Sequence, residues 1–331
     1  MTGTAMATPT AGFVVEDVAR LLARELGQPV HVTDLERLTG GSSREIWTFR
    51  AHLGGTEVRE LVLRRDPPAE SRADGAQLEH EVMRAARDAG VAVPEILAVA
   101  DPDDADLPGG GLVMERVHGE SVPRRVLTSE ALKHAREGLA TRCGRELGLL
   151  HSLDPTDVRG LPAEDRLATY RAELDTVQTL RPVLELGHRW LVDRRPRQDS
   201  DVVVHGDFRL GNLVVDERGL VAVLDWESAH RGSRLEDVGW IAVKAWRFRG
   251  PGVVGGFGTM GDFLTAYTDT TGAALSIADF EWAVVLGTWV WGVGCLVQAN
   301  RHLSGATRSV DLAVAGRRVV EVERDLLELI S

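Results

Sequence analysis

Two cysteines, Cys143 and Cys295, are all that 331 residues offer, and both sit in apolar segments. A disulfide framework is therefore excluded, and each thiol is expected to serve as a small hydrophobe. Positive charge is also in deficit, with 38 Lys and Arg against 50 Asp and Glu, a formal net charge of −12. That balance argues against a nucleic-acid partner, which would want a basic stripe. The opening MTGTAMATPTAG lacks the basic start and apolar core of a secretory signal. Long apolar runs are missing too, with one exception: residues 282–300 carry no charge for 19 residues. That length could span a bilayer. Gly287, Thr288, Gly292, Gly294 and Gln298 lower its transfer energy, so it reads as a buried helix. The expectation is a soluble, cytoplasmic protein with no membrane partner.

What is present is an ordinary globular balance, 44% hydrophobic and 27% charged, in a chain long enough for two packed lobes. Residues 1–12 are small and polar and are expected to be disordered. Val14, Val18, Leu21, Leu22 and Leu26 follow helical spacing, with Gly27 as C-cap. Strand-like runs at 46–51 and 58–64 join through Gly54-Gly55, and a helix follows at 77–89. Another short apolar strand is expected near 111–117. Beyond it the pattern turns helical, except for a strand-rich insert at 202–227. The expected division is a β-rich lobe over 13–117 and a mainly helical lobe over 118–331. The glycine-rich stretch 250–261 has no periodicity and reads as a mobile loop, a candidate lid.

The chemistry concentrates in VVVHGDFRLGNLVVDERGLVAVLDWE, residues 202–227. An apolar strand delivers His205, Gly206 and Asp207 to a polar loop. Two further apolar runs flank the turn 216–219; paired as a hairpin, they bring Asn212 and Asp225 to the same open end. Magnesium prefers oxygen ligands and keeps several waters, so Asn212, Asp225 and nucleotide phosphates would complete its shell. Asp207, held beside that pair, could orient a hydroxyl and accept its proton. His-x-Asp-x-x-x-x-Asn followed thirteen residues later by Asp225 matches the spacing of a kinase catalytic loop and its metal-binding Asp. Arg209 and Glu227 flank these groups, within reach of phosphate or metal. Gly40, Gly41, Ser42 and Ser43 are candidates to cover phosphates with backbone amides.

HGDFRLGN followed by VLDWE resembles the aminoglycoside phosphotransferase and choline kinase family, and most of all the branch also found fused to acyl-CoA dehydrogenases. LTGGSSREIWTF, LVLRRDPP, LVMERVHGE and GRRVVEVERDLLELI extend the likeness over nearly the whole chain. The resemblance implies a protein-kinase-like, two-lobed α+β fold with a β-rich N-lobe and a helical C-lobe. It implies ATP and Mg2+ as cofactors, Asp207 as base, Asn212 and Asp225 as metal ligands, His205 as a structural loop residue and Asp237 as the brace of that loop. The strand holding Met114, Glu115 and Val117 looks like the hinge whose backbone meets adenine. Arg64 stands where the family pattern carries a lysine; it keeps the charge as a planar fork. Its carboxylate partner is Glu79 or, on the opposite helix face, Glu81. His151 is expected to be structural. The expected activity is transfer of the γ-phosphate of ATP to a hydroxyl of a small molecule, such as an aminoglycoside-like antibiotic, a hydroxylated metabolite or a hydroxyacyl compound. The rival reading, motivated by Arg64, is a nucleotide-binding pseudokinase or scaffold.

Overall fold

Val14, Val18, Leu21 and Leu22 form the fully buried stripe of α1 (Ala11–Leu26), and Gly27 ends the helix at φ +64°. The computed structural model describes residues 11–38, 45–65, 75–177, 179–196 and 200–331. Helix α1 starts inside the stretch expected to be disordered, since the amide of Val15 needs the carbonyl of Ala11 for its helical hydrogen bond. Residues 1–10 of that stretch lie outside the described residues.

Five strands follow: β1 (Val30–Leu38), β2 (Glu45–Leu53), β3 (Glu57–Arg65), β4 (Ile96–Ala100) and β5 (Gly111–Glu115), with α2 (Gly75–Asp88) between β3 and β4. They form an antiparallel sheet in the order β1-β2-β3-β5-β4. The apolar faces of α1 and the sheet, including Trp47, Phe49, Leu61, Leu63 and Val113, close one core. Arg64 lies in the middle of this sheet, opposite Ile46 of β2 and Leu112 of β5.

The chain divides into two compact units, one of residues up to 85 with 93–118, the other of 86–92 with 119–331. The division after His118 is one residue from the expected boundary. Residues 86–92 cross it because the amide of Ala92 donates to Glu146 (2.7 Å) and its carbonyl accepts from Val223 (2.7 Å).

The second unit opens with α3 (Pro123–Thr128), α4 (Lys133–Glu137) and α5 (Leu139–His151). Two helices follow, α6 (Arg166–Thr176) and α7 (Pro182–Asp193), separated because Pro182 can begin a helix but not continue one. Short strands β6 (Val202–Val204), β7 (Leu213–Asp216), β8 (Gly219–Val223) and β9 (His230–Gly232) pair as β6 with β9 and β7 with β8. Then come α8 (Arg234–Trp240), α9 (Met260–Thr271), α10 (Ile277–Leu303), α11 (Val310–Arg317) and α12 (Val319–Ile330). By length and composition α10 is long and apolar enough to cross a membrane, yet 78% of its most apolar window is buried within the protein. Trp282 and Trp289 on it donate to the carbonyls of Leu191 and Leu184 on α7, at 3.0 and 2.8 Å. They are core.

The stretch 250–261 is not the mobile loop its composition suggested. Gly252 bridges to Gly256 and Val254 to Gly258, Val254 is fully buried, and Gly255 donates to Ile241 at 2.9 Å. Its glycines allow close backbone approach rather than motion: a Cβ on Gly258 would stand 2.2 Å from that of Ala140.

Candidate active site

Buried strand β6 runs directly into His205 and Gly206. Gly206 has φ +84°, and a Cβ there would lie 2.4 Å from the carbonyl of Ser228, so the turn requires glycine. Asp237 of α8 fixes the turn by accepting the amides of His205 (2.7 Å) and Gly206 (2.9 Å). It also meets His151 Nε2 at 3.2 Å, and His151 Nδ1 meets the Tyr267 hydroxyl at 2.9 Å. Burial pushes the Asp237 carboxyl up, but the hydrogen bonds from His151 and from the His205 amide outweigh it, holding it at about 2.

His205 is completely buried and has both ring nitrogens engaged. Nε2 donates to the Leu224 carbonyl (3.2 Å), and Nδ1 accepts the Asp207 amide (3.1 Å). Burial lowers its pKa below the ordinary histidine value. A neutral ring with two backbone partners, 4.5 Å from the Trp226 ring, has no proton to trade. His205 ties the loop to the residue before Asp225.

Asp207 carries the accessible carboxylate of the loop, with a fifth of its side chain exposed. Arg209 Nε reaches both its oxygens, at 2.9 and 3.1 Å. Asn212 Nδ2 donates to Oδ2 (2.7 Å) and to the Asp207 carbonyl (2.9 Å), and the Trp240 indole donates to Oδ1 (2.6 Å). The Arg209 guanidinium lies over the Trp246 ring at 4.9 Å, and rings continue from Trp246 to Trp240 (5.4 Å) and Trp291 (4.6 Å). Sequence reasoning missed the Trp240 contact. Its signal was in RLEDVGW, where Trp240 follows Asp237 by three residues and so shares its helix face. Arg166 was also missed; it donates to the Gly206 carbonyl (2.8 Å) from α6 and carries no comparable sequence signal.

The β7–β8 hairpin pairs Leu213 with Val223, and the Leu224 amide donates to the Asn212 carbonyl at 2.8 Å. Asp225 therefore follows within one residue of Asn212 across the ladder. It adopts φ +68°, a left-handed conformation uncommon for a residue with a Cβ. Glu227 is exposed two residues on.

In the first unit, the fork of Arg64 meets both carboxylate oxygens of Glu79, which is 3% exposed. Glu81 turns instead to Arg84 (2.8 Å) and Gln77 (3.5 Å). Arg65 points away from Arg64 and donates to the Pro108 carbonyl. Met114 is half-buried on β5 opposite Val62 and Ile96. The amides of Glu115 and Arg116 are spent on the carbonyls of Glu95 (2.8 Å) and Glu60 (3.0 Å), so a nucleotide could use the amide of Val117 but not that of Glu115. Gly40, Gly41, Ser42 and Ser43 lie outside the described residues.

The donor set suits a hard cation. Asn212 spends its NH₂ on Asp207, which leaves the amide oxygen as its ligating atom, and Asp225 supplies a carboxylate beside it. Among the described residues no group of three His, Cys, Asp or Glu side chains gathers as a metal site, so a closed zinc centre finds no support there. Two oxygen ligands, with phosphates and water to complete the shell, would suit magnesium.

The sequence profile of the phosphotransferase enzyme family matches residues 34–273. Acyl-CoA dehydrogenase family member 10 of Mus musculus is 29% identical over 198 residues, covering 55% of this chain and 18% of its own length. The chain thus spans less than a third of the curated relatives it matches. A candidate aminoglycoside phosphotransferase from Ralstonia eutropha JMP134 superposes with a TM-score of 0.74 at 20% identity, over 95% of this chain and 97% of that one. A thermostable mutant of the aminoglycoside phosphotransferase APH(4)-Ia, in ternary complex with ADP and hygromycin B, gives 0.57 at 19%, over 93% and 98%.

Proposed function

Because the chain belongs to the phosphotransferase enzyme family, we propose that it transfers the γ-phosphoryl group of ATP, with magnesium, to a hydroxyl of a small molecule in the cytoplasm. The observation that carries this reading is the Asp207 carboxylate, aimed by Asn212, Arg209 and Trp240 on a loop that Asp237 braces. The relative solved with ADP and hygromycin B supports a nucleotide and a small-molecule acceptor.

The roles divide between the two units. In the first, Arg64, oriented by Glu79, would contact the α and β phosphates, and the backbone of Val117 beside Met114 and Glu115 would meet the base; Gly40, Gly41, Ser42 and Ser43 remain the sequence's candidates for phosphate contact. In the second, Asn212 and Asp225 hold magnesium, which when bound neutralises phosphate charge. Asp207 accepts the hydrogen bond of the acceptor hydroxyl, orients its oxygen, and takes its proton at a carboxylate oxygen as that oxygen bonds the γ-phosphorus and the bond from phosphorus to the bridging oxygen breaks, releasing ADP. Arg209, held over the Trp246 ring, faces the transferred charge.

The test is turnover of ATP with magnesium against a panel of metabolites and antibiotics, for the parent and Asp207→Asn. Transfer in the parent and its loss in the variant, with ATP binding kept, supports the reading. ATP binding without transfer to any acceptor would favour the scaffold reading.

A further inference from the structure

Helices α3 and α4 and the turn that follows Trp246 line a half-open cavity of about 720 Å³, a volume suited to a small molecule. Arg124, Arg136 and Arg249 line it together with Phe248, Phe257 and Leu127, and no acidic residue lines it. In a chain of net charge −12 such a concentration of guanidinium is anomalous. Among the described residues none of the three arginines has a carboxylate partner, whereas Arg209, Arg166 and Arg64 all do.

The cavity is built rather than incidental. Arg136 Nη1 donates to the carbonyls of Val126 (2.9 Å) and Ser129 (3.1 Å), which fixes its guanidinium. Phe248 and Arg249 are consecutive non-glycine residues in left-handed conformation, at φ +46° and +67°. That backbone is costly for side chains of this size and holds a ring and a charge at the cavity. The segments that line the cavity lead into the reaction centre. Pro123, just before Arg124, lies 3.9 Å from where a Cβ on Gly211 would stand, and Trp246, two residues before Phe248, carries the Arg209 guanidinium.

We propose that this cavity seats an anionic group of the acceptor, phosphate or carboxylate, with an adjoining planar or apolar part against Phe248 and Phe257. The proposal rests on the phosphotransfer reading and narrows it: the acceptor is an anion with an apolar portion, the opposite in charge to an amine-bearing antibiotic. Arginine forks match phosphate and carboxylate geometry, and phenyl rings take flat or aliphatic surfaces.

Calorimetric titration of the full chain with phenyl phosphate, benzoate and benzyltrimethylammonium tests it. The two anions should bind and the cation should not, and the stronger anion identifies the group. Arg124→Gln combined with Arg249→Asn, which tolerates the left-handed backbone, should weaken phenyl phosphate about tenfold or more. The unfolding midpoint and ATP affinity of that variant should stay unchanged. Equal binding to parent and variant, preference for the cation, no anion binding at all, or a loss in Arg64→Ala instead would each overturn it. If ATP fails to bind the parent while the arginine dependence holds, the phosphotransfer reading falls and the anion cavity stands without an acceptor role.

Discussion

Two arginine–carboxylate pairs, one in each unit, look alike on paper and differ in what they leave open. Arg64 and Glu79 sit on a central strand and a helix, with side chains 12% and 4% exposed, and the carboxylate gives both oxygens to one fork. Arg209 and Asp207 sit on a loop, 25% and 20% exposed, and the carboxylate divides its oxygens among three donors from the loop, the hairpin and α8. The first pair is a largely buried charge anchor, with the arginine more open than its carboxylate. The second is a carboxylate held in position while part of it still meets solvent, which is what a base toward an incoming hydroxyl needs.

If that difference is real, the largest effect belongs to Asp207→Asn. Phosphoryl transfer should fall by about 10² to 10⁴, with ATP affinity retained in a binding titration. Near-parental turnover would erase the distinction between the pairs.

Asp237→Asn comes next, as a change in stability. It exchanges an acceptor of two amides and a histidine for a neutral amide, and should cost about 3 kcal/mol in urea unfolding. The Asp237 carboxyl is held near 2, below its unfolded value, so its contribution is fully present above about pH 4 and lost as pH falls toward 2. The variant should lack that part of the acid limb.

A smaller contrast concerns neighbours on β3. Arg64→Ala should weaken ATP by roughly tenfold, the scale of one charge-assisted contact, and Arg64→Lys should keep partial activity. Arg65→Ala, on the other face, should be mild. Harm from Arg65→Ala and none from Arg64→Ala would shift the proposed phosphate contact by one residue.

The smallest effect separates two glutamates on α2. Glu79→Gln should reduce ATP affinity by loosening Arg64, whereas Glu81→Gln, a surface partner of Arg84, should fall within about 0.5 kcal/mol of the parent in stability and leave nucleotide binding unchanged.

Where local spacing controls geometry, the sequence was readable. The two apolar runs around 216–219 were enough to bring Asn212 beside Asp225 as a hairpin. What stayed hidden depends on contacts between distant segments. Spacing showed that Glu79 and Glu81 face apart but not which faces Arg64. His151 meets Asp237 across 86 positions, and Trp240 meets Asp207 across 33, so neither pairing has a local pattern. The 250–261 stretch misled for a related reason. Glycine marks both looseness and close backbone approach, and only the neighbours, here Ala140 and Ile241, decide which.

Asp225 sets a trap for anyone selecting this protein for robustness. At φ +68° a glycine would relieve about 1 kcal/mol of backbone strain. The same change removes the carboxylate proposed for the metal. A screen that rewards heat tolerance alone can therefore enrich this substitution and return a protein without the proposed metal carboxylate, whereas one that alternates heating with a readout of the proposed activity should not recover it.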